Sequence, residues 1–111
     1  SVSIADNVLI ASRVFITDLN HGSYGGDLHS DPLSICKDRP LTGTPVVIEQ
    51  NVWLGEGVVV LPGVTIGQGT IIGANAVVSK NVPAFSIAVG NPAKVIKTYN
   101  FEQKKWLAIH G

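Results

Sequence analysis

Large aliphatic residues recur every six positions along the chain, at Ile48, Leu54, Val60, Ile66, Ile72 and Val78. Four places after each stands a small or β-branched residue: Val52, Val58, Val64, Thr70, Ala76 and Val82. A helix turning every 3.6 residues would scatter these positions around its circumference, so it cannot hold both registers on one buried side. A period of six with β-branched content predicts short strands and tight turns wound into a parallel β-solenoid. Gly55, Gly67 and Gly73 directly follow aliphatic members of the series. The same pattern appears earlier at Ile4, Ile10 and Ile16, with Val8 and Val14 four places after the first two. The two tracts are out of phase, since Ile16 and Ile48 lie 32 residues apart and six does not divide 32. The intervening TDLNHGSYGGDLHSDPLSICKDRPLTGTP, Thr17 to Pro45, therefore reads as an insertion that leaves the solenoid and rejoins it.

These repeats resemble the hexapeptide-repeat acyltransferases. Such proteins fold as left-handed parallel β-helices in which three hexads, about eighteen residues, make one triangular coil. On that template Ile4 to His21 forms one coil and Ile48 to Pro83 forms two. The expected fold is all-β, a left-handed parallel β-helix of about three coils with a long inserted loop and a short C-terminal helix. Left-handedness follows from the resemblance and not from the periodicity, because crossovers between parallel strands are ordinarily right-handed. The expected layout is a β-helix acyltransferase domain over residues 1–97, with the loop insertion at 21–45, and a tail at 98–111. In that tail FEQKKWLAIHG begins as a short helix, with Phe101 and Trp106 packing back as a cap. The segment VPAFSIAVGNPAKVIK, Val82 to Lys97, is similar to the one that ends the β-helix in sugar and xenobiotic acetyltransferases. The nearest branch is that of sugar, O-antigen and exopolysaccharide O-acetyltransferases. The chain opens in mid-pattern at SVSIADN, so the expectation is a longer protein or a preceding element covering the first coil.

In the hexad that starts at Ile16, the inward slots fall on Ile16 and Asn20, and His21 faces outward at the head of the insertion. A long loop inside a compact domain is usually functional or disordered. The string ITDLNHGSYGGD resembles the DxNH region of acetyltransferases acting on sugars and polysaccharide precursors. There the histidine is the general base, and the resemblance gives that role to His21. One imidazole suffices, because the acetyl-CoA thioester is already activated. The enzyme need only hold a hydroxyl beside it, remove the proton and stabilise the oxyanion. Asp18 and Asn20 are candidates to orient the imidazole or the acceptor, although both residue types are also ordinary turn formers. In the family the loop reaches to a neighbouring subunit of a homotrimer whose active sites lie between subunits. Tyr24 is then expected to pack against the acceptor, with His29 a bystander.

The family-specific run VIEQNVWLGEGVVVLPGVTIG carries Trp53 at an outward position. The resemblance makes Trp53 a wall near the thioester and the pantetheine arm, touching both donor and acceptor. It also places Gly55, Gly73, Ala74, Ser79 and Lys80 along the cofactor groove. Small residues let an amide-bearing chain approach the solenoid backbone. Glu56 stands where relatives carry a small polar residue, which weakens the case for its contact with CoA. Lys94 and Lys97, in GNPAKVIK, match the basic pair that relatives use near the CoA phosphates. Relatives often have Arg there, and Lys offers a point charge without the bidentate fork.

Composition narrows the classes. Of 111 residues, eight are Lys or Arg and eight are Asp or Glu, so the formal net charge is zero and no basic field for nucleic acid arises. The single cysteine, Cys36, excludes an internal disulfide framework and fits a reducing, cytoplasmic setting. No apolar run approaches membrane-spanning length. The expected partners are other copies of the chain and a sugar or glycan acceptor, with acetyl-CoA as co-substrate and no metal. Three rivals frame the reading. A metalloenzyme on this fold would need converging ligands that His21, His29 and His110 do not supply in pattern. Covalent catalysis by Cys36 would need a lowered thiol pKa. A non-catalytic scaffold, or an acetyltransferase acting on an amino acid or antibiotic, would share the fold and differ at the site.

Overall fold

The structure is a computed structural model and describes residues 1–109. His110 and Gly111 lie outside the described residues. Three parallel sheets form the faces of a β-helix. The first stacks β1 (Val2–Ile4), β8 (Val46–Ile48) and β11 (Thr65–Ile66). The second stacks β3 (Phe15–Ile16), β10 (Val59–Val60) and β13 (Val77–Val78). The third stacks β2 (Leu9–Ile10), β9 (Trp53–Leu54), β12 (Ile71–Ile72) and β14 (Ser86–Val89). Trp53 pairs with Ile71, 18 residues on. Leu9 pairs with Trp53, 44 residues on, so 26 extra residues leave the coil between them.

Both sequence registers point inward. Ile48, Leu54, Val60, Ile66, Ile72 and Val78 are wholly buried, and so, to within a few per cent, are Val52, Val58, Val64, Thr70, Ala76 and Val82. Fully burying one such aliphatic side chain stabilises the fold by about 1.5–3 kcal/mol. Among the described residues the first coil has a neighbour on one side only, and its inward Ile4 and Ile10 are 47% and 40% exposed there.

The turns explain the Gly and Asn positions. One corner takes left-handed backbone at Asn7, Asn51, Gly69 and Phe85, and the next at Arg13, Gly57 and Asn75. Asn and Gly adopt that conformation at least cost. The glycine after an aliphatic residue has a different cause, the backbone of the coil above. A Cβ on Gly67 would lie 2.3 Å from the Ala84 nitrogen, and one on Gly55 2.9 Å from the Ala74 nitrogen.

Among the described residues the expected C-terminal helix is absent. β14 is followed by β15 (Lys94–Asn100) and β16 (Lys105–Ala108), which pair antiparallel and extend the third sheet. The open edge of β14 offers unpaired backbone groups that a strand satisfies and a short helix would not. Asn100 Oδ1 accepts the Gln103 N–H at 2.9 Å, and Lys104 adopts positive φ, which closes the turn between the strands. The aromatic residues do pack back: Phe101 meets Phe85 edge-on at 4.9 Å, and Tyr99 meets Trp106 at 5.2 Å.

Thr70 is the polar member of the inward series. Its hydroxyl donates to the Pro83 carbonyl at 2.9 Å, where the last coil is shortened to 16 residues between Ile71 and Ile87. Thr70→Val keeps the shape and suits the aliphatic series, but it leaves that carbonyl without its donor. We expect a loss of about 1–3 kcal/mol in a denaturant titration. Unchanged or raised stability would mean that burial alone governs the slot.

Candidate active site

The insertion starts where the second sheet turns toward the first. β4 (Leu19–His21) pairs antiparallel with β7 (Leu41–Gly43), matching Asn20 with Thr42 and His21 with Leu41. The chain has therefore already left the coil at Asn20, which is exposed and does not fill the inward slot that the hexad pattern gave it. A second hairpin, β5 (Tyr24–Gly25) with β6 (Leu28–His29), follows. His21 is exposed. Among the described residues no hydrogen bond reaches its imidazole; its carbonyl accepts a hydrogen bond from the Tyr24 hydroxyl. Tyr24 thus serves the backbone of His21 as well as presenting its ring to solvent. Asp18 lies at the head of the insertion, where its carbonyl accepts from the Thr44 N–H at 2.9 Å. His29 Nε2 lies 3.0 Å from the Gly26 carbonyl.

The third sheet carries the other group. Register puts Leu9, Trp53, Ile71, Ile87 and Lys97 in one outward row across successive strands. Trp53 is 47% exposed. Three strand spacings separate it from Lys97, roughly 14 Å. Lys94 and Lys97 are three apart and would point to opposite faces of a regular strand. A bulge at Ile96 changes this: Lys94 pairs with Val89 and Lys97 with Ile87, both outward positions of β14. Both lysines therefore share the face of Trp53. The periodic pattern carried no signal for that bulge.

Gly55, Gly73 and Ala74 sit at the corner just beyond β9 and β12. Ser79 and Lys80 follow β13 directly, at the corner from which the insertion departs two coils away. The expected site residues thus form two groups. Trp53, Gly55, Gly73, Ala74, Lys94 and Lys97 belong to the third face and its edge. Asp18, Asn20, His21, Tyr24, Ser79 and Lys80 belong to the opposite corner of the triangle. One chain does not bring the groups together. Among the described residues no cluster of three or more His, Cys, Asp or Glu side chains is arranged to hold a metal ion.

Residues 45–80 match the bacterial transferase hexapeptide family, with six repeats. The chain is 54% identical over 110 residues to WbbJ of Escherichia coli K12, provisionally named a lipopolysaccharide biosynthesis O-acetyl transferase; the match covers 96% of this chain and 55% of WbbJ. It superposes on a galactoside acetyltransferase in complex with coenzyme A at a TM-score of 0.77 and 35% identity, covering 100% of this chain and 54% of that one. A maltose O-acetyltransferase from Clostridium difficile 630 matches at a TM-score of 0.75 and 39% identity, covering 89% of this chain and 49% of that one. The chain spans about half the length of the relatives it matches. It belongs to the hexapeptide-repeat transferases, and its fold is their left-handed parallel β-helix.

Glu56 has its own employment. Its carboxylate accepts from Arg13 at 2.9 Å and from the Ser12 N–H at 3.1 Å, tying one coil to the next. The Arg13 and Glu56 side chains are 83% and 40% exposed, so water screens the pair. Glu56→Ala should lower stability by no more than about 1 kcal/mol in a denaturant titration. A larger loss would mean that the corner depends on the ion pair.

Proposed function

We propose that this chain is the β-helix of an acetyl-CoA-dependent O-acetyltransferase that acylates a hydroxyl of a sugar or polysaccharide precursor. The observation that carries the reading is the outward strip from Trp53 to Lys97. It has an aromatic wall at one end and two ammonium groups at the other. An extended pantetheine arm suits the flat middle, and the CoA phosphates suit the lysines. The names of the similar proteins, acetyltransferases of galactoside, maltose and lipopolysaccharide, support both donor and acceptor classes.

His21 takes the proton of the acceptor hydroxyl as its oxygen attacks the thioester carbonyl. A C–O bond forms, and the tetrahedral intermediate then expels the sulfur as the C–S bond breaks. The imidazolium returns the proton to that sulfur, so the products are the acetyl ester and the CoA thiol. Asp18 and Asn20 lie near enough in sequence to contact the acceptor, and Trp53 screens the thioester from water.

The strip and the His21 corner lie on opposite sides of one triangular prism, so the reaction needs a second copy. A cyclic homotrimer meets that need with three equivalent sites, each taking Trp53, Lys94 and Lys97 from one chain and His21, Ser79 and Lys80 from the next. Leu9 and Phe15 are exposed on outward rows and suit such packing. No helix of the described residues is long and apolar enough to cross a membrane. The proposed setting is the cytoplasm, where acetyl-CoA is available and Cys36 remains a thiol.

Calorimetric titration should find one acetyl-CoA per chain. Lys94→Ala/Lys97→Ala should weaken that binding about ten- to thirtyfold, the effect of losing two charge-assisted contacts of roughly 1 kcal/mol each. His21→Ala should retain acetyl-CoA binding and lose about 10²- to 10⁴-fold in kcat. Absence of acetyl-CoA binding by a folded trimer, or full activity in His21→Ala, contradicts the reading.

A further inference from the structure

The insertion is organised around one guanidinium. Arg39 donates through Nε to Ser34 Oγ at 2.9 Å and through Nη2 to the carbonyls of Ser34 at 3.0 Å and Pro32 at 3.2 Å. Through Nη1 it donates to the Tyr24 hydroxyl at 2.9 Å, and its Cζ lies 5.8 Å from the centre of the Tyr24 ring. Arg39 is half-buried, whereas every other residue from 31 to 40 is exposed. The Tyr24 hydroxyl accepts from Arg39 and donates its own hydrogen bond to the His21 carbonyl. A donor that itself accepts from a cation is polarised and binds more strongly.

The residue after His21 is fixed from the same direction. Gly22 is buried, its N–H donates to the Pro40 carbonyl at 2.6 Å, and its carbonyl accepts from Thr42 Oγ1 at 2.9 Å. Gly22 has φ of +94°, and a Cβ there would lie 2.8 Å from the Tyr24 hydroxyl oxygen and 2.6 Å from Ser30 Oγ. The Tyr24 hydroxyl therefore occupies the space that a side chain at position 22 would need. The His21 carbonyl and the Gly22 carbonyl after it are thus each held by a hydroxyl of the insertion, and Arg39 holds the tyrosine that supplies the first of them.

We infer that Tyr24 and Arg39 are positioning residues for His21, acting in series from guanidinium to phenol to the His21 carbonyl. Tyr24 then contributes to turnover by setting the direction of the imidazole and not by gripping the acceptor. The inference rests on His21 being the general base. A misplacement of about 1 Å can cost on the order of a hundredfold in rate, so losing this bracing has a measurable effect without touching the reacting atoms.

The test uses the full chain with Tyr24→Phe, Arg39→Ala and Arg39→Lys, each confirmed folded by its thermal midpoint. Leu33→Ser, at a loop residue 91% exposed, is the control. Tyr24→Phe and Arg39→Ala should lower kcat about ten- to a hundredfold with KM for the acceptor little changed. Arg39→Lys should fail to restore the rate, because one ammonium cannot span the four acceptors. In a His21→Ala background, Tyr24→Phe should cost nothing further. A rise in acceptor KM at constant kcat, or an undiminished loss in the His21→Ala background, makes Tyr24 an acceptor contact and overturns the inference. Hydrogen exchange at the Gly22 amide gives a reading independent of activity. It should speed up about tenfold or more in Tyr24→Phe, and unchanged exchange overturns the bracing even if His21 proves catalytic. Loss of activity in His21→Ala, with no such change in Tyr24→Phe, separates failure of this inference from failure of the assigned reaction.

Discussion

Every coil of this protein is held by backbone hydrogen bonds to the coil beside it, and that ladder sets the rest. Amides at matching positions donate up the stack, as Trp53 does to Thr70, Gly55 to Ile72 and Gly73 to Ala88, all at 2.9 Å. A fixed coil length follows, because a residue gained or lost would turn a whole row of side chains from the interior to the surface. The inward aliphatic series, the Asn and Gly corners and the crowded glycines are local consequences of that constraint. Where the last coil is two residues short, Thr70 supplies a hydroxyl to the Pro83 carbonyl.

The insertion obeys different physics. It lies outside the ladder, buries little apolar surface and is shaped by side-chain hydrogen bonds that converge on Arg39. Its ends are clamped by β4 and β7, so its 26 extra residues return to the same corner. His21 stands at the join between the rigid stack and this polar loop. The general-base role proposed for His21 suits that position: the stack fixes where the chain departs, and the loop fixes how the backbone turns afterwards.

The solenoid was legible in the sequence because its rule is strict and repeated. Both inward registers, read from Ile48 to Val82, fall on buried residues. The reading failed where the period stops. Asn20 was assigned an inward slot by extrapolating the hexad one step too far, into a strand that pairs with Thr42 instead. The Glu, Gln and Lys of the tail favour a helix in isolation, but the open edge of β14 recruits the segment as a hairpin. The bulge that turns Lys94 and Lys97 to one face, and the bracing of His21 by Tyr24 and Arg39, depend on contacts with no period at all. His21, Trp53 and the lysines are singled out by resemblance. The separation of His21 from Trp53 and the lysines on opposite sides of the prism could not.

That separation gives the account its central claim, that each site is completed by two copies of the chain. Mixing His21→Ala chains with Lys94→Ala/Lys97→Ala chains, after dissociation and reassembly, tests it directly. His21→Ala chains lack the base, and Lys94→Ala/Lys97→Ala chains bind acetyl-CoA weakly, so with acetyl-CoA held well below the Kd of the lysine variant each parent alone is nearly inactive. Random mixed trimers should recover activity at about a quarter of the sites, where an intact strip faces an intact His21. A mixture no more active than the sum of its two parents would mean that all of these residues act from a single chain, and the shared site would be wrong.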